Sequence, residues 1–416
     1  MFKTRKLNCG VRIVMEDNSY VKSVAIGIFV KAGSVDEEPK YAGISHFIEH
    51  MMFKGTEKRS AKQIAADADK IAGNINAYTS KELTCYHIKT LTENTDKAIE
   101  LLTDIFMNSK FDPAEMNRER NVIFEEMSMC EDTPDDLAYE IAMGNVFDGN
   151  PLGPSIIGNR TALKRVSRNV LTDYLHAEYT ADSIVVAVAG NFDEETVCEL
   201  FDKYLTGIKP SKKEKQVKDV KNPPKCSVRV KDIEQSHIML ATRSISLGDD
   251  LYYAMAILTT ILGGTMSSRL FQNVREQKGL AYSVYAMNHG YSKMGTFMIY
   301  AGVSHSNIHK AISAIKHELD VLKKDGITKE EFEMSKVQLK GNYIYGLENV
   351  NSRMMAIGKN MLLLDKYYTP EEVISEIDSV SSADIQKSID MISDINTYSG
   401  ALVSDHRAKL KEMLYE

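Results

Sequence analysis

The chain has 416 residues, enough for two or three domains of ordinary size. Apolar residues make up 43% and charged residues 26%, and the formal net charge of −7 excludes a basic nucleic-acid-binding surface spread over the whole chain. No apolar run approaches the roughly 20 residues of a membrane helix, and the N-terminal segment contains no apolar signal region. We therefore expect no nucleic-acid or membrane partner, and neither export nor membrane insertion.

The five cysteines are odd in number and widely scattered, without a C-x-x-C pair. A disulfide framework or a cysteine zinc cage has closely spaced pairs instead. This pattern favours inert thiols in a reducing cytoplasm, so we predict a cytoplasmic location.

Hydrophobic periodicity predicts mixed helices and strands in the first half of the chain. Ser60 is a predicted N-cap, and Asp112, Pro113 and Glu115 mark the start of a long helix as its N-cap, first residue and capping acid. The predicted elements in chain order are strands at 11–16 and 21–32, helices at 43–53 and 60–73, strands at 74–80 and 82–90, helices at 92–109 and from 113 onward, a strand at 183–191 and a helix at 193–205.

The segment 206–225 is polar, Lys-rich and bounded by prolines, which predicts an exposed linker near the midpoint. Three short matches across this midpoint indicate an internal duplication. They pair 53–56 with 262–265, 119–126 with 333–340, and the Val-Ser pair at 166–167 with that at 380–381. Each match is weak alone, but their order and near-constant offset agree.

The predicted fold class is therefore α+β, with two homologous domains that each have an antiparallel-type sheet with helices packed on it. The predicted boundaries are 1–208 for the first domain, 209–224 for the linker and 225–416 for the second domain.

Residues 46–50 read His-Phe-Ile-Glu-His. On a helix, His46 and His50 project from one face one turn apart, and Glu49 reaches the rim of the same site. This is the metalloprotease His-Glu-x-x-His arrangement in reverse, in which two imidazoles share a metal and the carboxylate takes a proton from water. A chance grouping of surface side chains is the alternative.

A catalytic zinc site needs a third protein ligand. The helix that begins at Pro113 contains Glu119, Glu125 and Glu126, and Glu119 and Glu126 are two turns apart on the same face. From the helix alone, a solvated acidic face is the favoured interpretation of these residues.

The order of four motifs resembles the pitrilysin/insulinase family of zinc peptidases, especially its short branch of processing peptidases and their bacterial relatives. The motifs are H-x-x-E-H, F-x-G-T, N-A-x-T at 76–79 and E-R-N-V-I-x-E-E at 119–126. The resemblance implies one zinc ion per chain, bound by His46, His50 and Glu126. It also implies Glu49 as the general base and Glu119 as a supporting acid, with Glu125 outside the site.

The resemblance further implies that Asn76 and Ala77 lie on an edge strand that pairs with the substrate backbone. A turn residue at the end of a strand is the alternative for Asn76. His87, on the neighbouring predicted strand, is interpreted as a packed or edge histidine.

The second half of the chain lacks the metal-binding set, because apolar residues, Thr and Lys stand at the corresponding positions: Met255, Leu258, Thr259 and Lys340. It retains Arg275 and Tyr282, seven residues apart, which resemble the family's Arg/Tyr pair facing the zinc. The histidines at 289, 305, 309 and 317 form no second H-x-x-E-H set.

These features predict a zinc endopeptidase that hydrolyses peptides or unfolded segments. In longer relatives four such domains face each other, so a two-domain chain is expected to form a homodimer in which Arg275 and Tyr282 act on the partner subunit's zinc. The alternative is a non-catalytic subunit that binds peptides or scaffolds a partner.

Overall fold

The computed structural model describes residues 2–210, 220 and 222–416. Eleven strands occur in these ranges: β1 Phe2–Lys6, β2 Arg12–Asp17, β3 Ser23–Val30, β4 Asn74–Thr79, β5 Thr84–Leu91, β6 Ile184–Gly190, β7 Cys226–Val230, β8 Ser236–Ser244, β9 Ala281–Gly290, β10 Gly295–Val303 and β11 Ser399–Ser404. The α-helices of the same ranges are α1 Ile44–Met52, α2 Ala61–Lys70, α3 Thr95–Asn108, α4 Pro113–Asp132, α5 Pro134–Val146, α6 Arg160–Leu163, α7 Arg168–Glu178, α8 Glu194–Tyr204, α9 Tyr252–Thr259, α10 Ile308–Asp325, α11 Lys329–Leu347, α12 Val350–Leu364, α13 Pro370–Ser379, α14 Ser382–Ile392 and α15 Leu410–Tyr415.

The elements predicted in the first half are confirmed to within a few residues. Ser60 caps α2 by accepting a hydrogen bond from the Gln63 amide, and Asp112 accepts from the Ala114 and Glu115 amides at the start of α4. Strand β1 was not predicted; it pairs with β2 at one edge of the sheet.

The chain forms two compact units, and neither unit is a continuous stretch of sequence. The first comprises the described residues of Met1–Met127, Ser155–Gln216 and Tyr345–Tyr368. The second comprises those of Ser128–Pro154, Val217–Ile344 and Thr369–Glu416. Both units therefore differ from the predicted domains 1–208 and 225–416, in the segments 128–154 and 345–368. Most of the predicted linker 209–224 lies outside the described residues. The predicted domain and linker boundaries therefore stay predictions.

Each unit contains one sheet, and the two sheets share a strand order. The first is β1-β2-β6-β3-β5-β4 and the second is β7-β11-β8-β10-β9, so the second matches the first from β2 onward. The β2–β6 and β7–β11 pairs are parallel, and the other neighbours are antiparallel. The predicted α+β fold of two similar domains is confirmed, with one parallel pair added to each sheet.

The first sheet is buried on both faces. Apolar residues of α1, α3 and α8 pack on one face, and α12 covers the other with Val350, Met354 and Ile357. Every residue of β6 is buried, as expected for a central strand between two helical layers.

Within the described ranges, one helix covers the far face of each sheet, and it comes from the opposite half of the sequence. Helix α12 packs on β2, β3 and β6, and Arg353 forms an ion pair with Glu16 of β2. Helix α5 packs on β8 and β11, and the Asn145 amide donates to the carbonyl oxygen of Gly400 at 2.9 Å. The apolar pattern of such a helix shows that one face is buried but does not show which sheet buries it, so the exchange was not predicted.

None of the helices in the described part of the chain combines the length and apolar character needed to cross a bilayer. All five cysteines are free thiols.

Candidate metal centre

Helix α1 begins at a glycine that no other residue could replace without strain. Gly43 has a φ of 95°, and a Cβ atom there would lie 2.6 Å from the carbonyl oxygen of Ile157. The Glu37 carboxylate accepts hydrogen bonds from the amides of Gly43 at 2.6 Å and Ser45 at 2.8 Å. These bonds satisfy two amides at the helix start, so they hold the N-terminal end of α1, next to His46.

The two faces of α1 have different chemistry. The face toward the sheet is fully buried and apolar, with Phe47 and Ile48 in the core of the first unit. His46, Glu49 and His50 lie on the half-buried opposite side. Packing of the apolar face therefore determines where the polar side chains point.

The structure brings the three predicted metal ligands together. One ligand atom each from His46, His50 and Glu126 lies within 4.8 Å of the other two. Glu126 Oε2 is 3.4 Å from His50 Nε2 and 3.9 Å from His46 Nε2. Glu125, the next residue of α4, is exposed, as expected for a side chain outside the site.

Glu119 supports His50 from behind. Its Oε2 atom lies 3.2 Å from His50 Nδ1, and its Oε1 atom lies 2.7 Å from Lys54 Nζ. The Glu119 side chain is only 8% exposed, so Lys54 supplies the counter-charge that a buried carboxylate needs. A carboxylate on the far nitrogen of a metal-binding imidazole fixes the tautomer and ring orientation.

Glu49 is held by the edge strand of the sheet. The Thr79 hydroxyl at the end of β4 donates to Glu49 Oε2 at 2.5 Å. Burial raises the pKa of Glu49 above its ordinary value, although the Thr79 hydrogen bond opposes this shift. A carboxylate with a raised pKa is a better proton acceptor near neutral pH.

Burial, with a smaller contribution from the neighbouring His50, lowers the pKa of His46 to about 4. The imidazole is therefore neutral at neutral pH, which is the form that binds metals. The Nδ1 atom of His46 is buried and has no hydrogen-bond partner among the described residues, so only His50 has a carboxylate behind it.

Asn76 and Ala77 lie on β4, the edge strand of the first sheet. They stand opposite His87 and Tyr86 of β5 in the antiparallel register. Ala77 and Thr79 share a face of the strand, because they are two residues apart, and Thr79 contacts Glu49. His87 is half-buried, and burial lowers its pKa.

Arg275 and Tyr282 belong to the second unit and lie side by side there. The Arg275 Cζ atom is 5.6 Å from the centroid of the Tyr282 ring, and the Tyr282 side chain is 76% exposed. The positions that correspond to His46, Glu49 and His50 are apolar or hydroxylic, and two of them, Met255 and Leu258, are fully buried.

Three residues that contact the predicted site were given no role in the sequence analysis: Glu37, Lys54 and Thr79. Lys54 and Thr79 occur within the F-x-G-T and N-A-x-T motifs. No sequence pattern indicated Glu37, because its contact with the start of α1 forms only when the chain turns back at Gly43.

The donor set fits zinc. Two imidazoles and one carboxylate leave a fourth position for water or substrate, as in catalytic zinc sites. The neutral His46 and the Glu119 carboxylate behind His50 agree with that chemistry.

Two family models match adjoining stretches of the chain. The model described as Insulinase (Peptidase family M16) matches residues 12–160, and the model of the Peptidase M16 inactive domain matches residues 165–339. An uncharacterized zinc protease of Bacillus subtilis, YmxG, is 40% identical over 381 residues, which cover 92% of this chain and 93% of the relative. The chain belongs to the insulinase family of peptidases, M16. A second M16 relative, an uncharacterized zinc protease of Rickettsia bellii, is 36% identical over 92% of this chain and 93% of its own length.

Solved structures share the M16 fold. A protease from Helicobacter pylori aligns with a TM-score of 0.88 at 20% identity, over 97% of this chain and 99% of that one. A peptidase M16 inactive domain from Pseudomonas fluorescens aligns with a TM-score of 0.90 at 16% identity, over 98% of both chains. At such identities the likeness shows the fold alone.

Proposed function

We propose that this M16 protein is a zinc-dependent endopeptidase that hydrolyses peptides or unfolded segments. The observation that carries the proposal is the convergence of His46, His50 and Glu126, with Glu49 on the same side of α1. Zinc bound there would act as a Lewis acid that polarises the peptide carbonyl and activates water.

The chain's own residues supply the proton transfers. The Glu49 carboxylate accepts one proton from the attacking water and then passes that proton to the leaving amine. The Thr79 hydroxyl orients the carboxylate, and Glu119 orients the His50 ring. These residues come from α1, α4 and β4, so rigid elements hold the site.

We propose that the substrate adds a strand beside β4. Among the described residues β4 pairs only with β5, so no strand covers its other edge. Asn76 Oδ1 accepts a hydrogen bond from the Ala77 amide at 2.8 Å, and a substrate strand would replace this contact. Backbone pairing selects extended peptides with little regard to their side chains, which supports unfolded substrates.

We also propose a homodimer in which Arg275 and Tyr282 complete the site of the partner subunit. In the first unit, the Lys54 ammonium is paired with the buried Glu119 carboxylate at 2.7 Å. The Arg275 guanidinium is half-exposed beside an exposed phenol, and its ion pair with the exposed Glu276 is longer, at 3.6 Å. A cation and a hydroxyl are suitable groups to steady a developing oxyanion. The free thiols support a cytoplasmic location for this assembly.

Zinc analysis combined with hydrolysis of a quenched fluorescent peptide tests the endopeptidase proposal. We expect activity that a chelator abolishes and zinc restores. Glu49→Gln should keep zinc and lower turnover by about 10²–10⁴-fold. Glu125, the exposed residue beside Glu126, provides the matched control, because Glu125→Gln should change neither the zinc content nor the turnover.

A protein that binds no zinc and cleaves no member of a diverse peptide library would contradict the proposal. It would favour the non-catalytic peptide-binding alternative. Mass spectrometry of the library products would identify the cleavage preference of an active enzyme.

A further inference from the structure

A second group of metal-ligand side chains lies in the second unit, where two strands of its sheet end. Val303, the last residue of β10, and Val403 of β11 are opposite Ser236 and His237 of β8. The residues that follow these two strands are therefore close together. They include His305 after β10 and, directly after β11, Asp405 and His406.

One ligand atom from each of His305, Asp405 and His406 lies within 4.8 Å of the other two. His305 and Asp405 are 100 residues apart in the chain, so no short motif could indicate the group. The set consists of two imidazoles and one carboxylate, which are ligands that zinc and related transition metals prefer.

The tautomer of His305 is set by the backbone. Its Nε2 atom lies 2.9 Å from the carbonyl oxygen of Ile233, and a carbonyl can only accept, so Nε2 carries a hydrogen. A histidine that binds a metal through one ring nitrogen commonly donates a hydrogen bond from the other ring nitrogen to a carbonyl or carboxylate. The remaining nitrogen, Nδ1, lies 3.2 Å from Asp405 Oδ1. Two acceptor atoms at that distance repel each other unless a proton or a metal cation lies between them.

Two buried hydroxyls support the His305 ring. Ser236 Oγ is 2.7 Å from His305 Nδ1, and Ser404 Oγ is 2.8 Å from Ser236 Oγ. Both serines have no solvent exposure. Because a hydroxyl rotates, Ser236 can direct its hydrogen to Ser404 and leave the Nδ1 lone pair for a metal.

His406 completes the set from the solvent side. Its Nδ1 atom is hydrogen-bonded to Asp405 Oδ1 at 2.5 Å, and a metal ion would replace the proton of this bond. Both residues are exposed, while His305 is half-buried. A metal ion therefore has access from solvent, and water can fill its remaining coordination positions.

We propose that His305, Asp405 and His406 form a second metal site, which takes a divalent transition-metal ion such as zinc. The ion joins the segment after β10 to the segment between β11 and α15, so its role is to stabilise the second unit. This proposal does not depend on the proposed peptidase function.

The zinc content of four proteins tests the site, measured by elemental analysis after dialysis against a fixed free zinc concentration. We expect two zinc ions per chain in the wild type, one in H305A/H406A and one in H46A/H50A. His309, an exposed histidine of α10, gives the matched control, and H309A should keep two. Equal zinc contents in the wild type and H305A/H406A would overturn the proposal.

A second measurement separates a metal from a proton. In the H46A/H50A background, added zinc should raise the midpoint of thermal unfolding, and D405N in that background should lose the increase while remaining folded. An unchanged midpoint in H46A/H50A would mean that a proton, not a metal, lies between His305 and Asp405, and the proposal would fail. Peptidase activity should be unaffected by H305A/H406A.

Discussion

The two units use the same strand order for different purposes. Helix α1 lies between β3 and β4, and α9 lies between the corresponding strands β8 and β9. The polar side of α1 carries three groups of the candidate site, whereas the aligned positions of α9 are Met255, Leu258 and Thr259. The position of Glu126 on α4 corresponds to Lys340 on α11, which pairs with Asp378 at 2.7 Å.

The same arrangement of strands and helices is therefore compatible with either polar or apolar side chains at these helix positions. In the second unit, Met255 and Leu258 are fully buried and add to the core. In the first unit, the corresponding positions of α1 hold two imidazoles and a carboxylate, which are only half-buried and add less to the core. Function in this protein therefore lies in side chains placed on a repeated fold.

The largest expected effect concerns the metal ligands of the first unit. His50→Ala and Glu126→Ala should each lose zinc and peptidase activity, because a three-residue set cannot spare a ligand. Glu125→Ala should keep both, since that side chain is exposed. Elemental analysis and a fluorogenic assay measure the outcome, and a fully zinc-loaded Glu126→Ala protein would refute the ligand assignment.

The next prediction asks whether the second unit contributes to the reaction. Arg275→Ala should keep zinc and lower kcat by about 10²–10³-fold, the usual cost of removing an oxyanion donor. Mixing inactive Glu49→Gln and Arg275→Ala chains should restore activity, because some mixed dimers contain one intact composite site. Absence of recovery despite verified subunit exchange would rule out a site shared between subunits.

A third prediction compares two corresponding helix positions by stability. Leu258→Gln should lower the free energy of unfolding by about 2–5 kcal/mol, because it removes a core contact and buries an amide without a partner. Glu49→Gln should change it far less, because that side chain is half-buried and polar already. Urea denaturation of the chelator-treated proteins measures both. Equal losses would show that the two positions are structurally alike.

The smallest effect concerns the capping carboxylate of α1. Burial raises the pKa of Glu37 to about 7, above the ordinary value of 4.5. The folded protein therefore binds this proton more tightly than the unfolded chain, and the resulting stability is complete below pH 4.5 and lost as the pH rises through 7. Relative to Glu37→Gln, which resembles the protonated acid, the wild type should lose about 3 kcal/mol across that interval.

Urea denaturation of both proteins at several pH values, with a chelator present, tests this difference. Identical pH profiles would show that folding does not shift the pKa of Glu37. A loss below pH 4.5 instead would mean that the hydrogen bonds from Gly43 and Ser45 outweigh burial.

The local elements could be predicted because their signals are local. The cap at Ser60 and the start of α4 at Asp112 follow from neighbouring side chains and backbone groups. The i, i+4 pair of His46 and His50 likewise needed only helical geometry. The contacts of Glu37, Lys54 and Thr79 could not be predicted in the same way, because each depends on how separate segments pack.

The sequence alone predicted most elements of the first half, the duplicated α+β fold and, through the family resemblance, the residues of the candidate zinc site. Periodicity, capping and motif spacing are properties of short segments, so they can be read without coordinates. Only the tertiary structure decided that α12 and α5 cover the sheets of the opposite halves, that Lys54 neutralises Glu119, and that His305 meets Asp405. These contacts join segments far apart in the chain, and an apolar face or a charged side chain does not specify its distant partner.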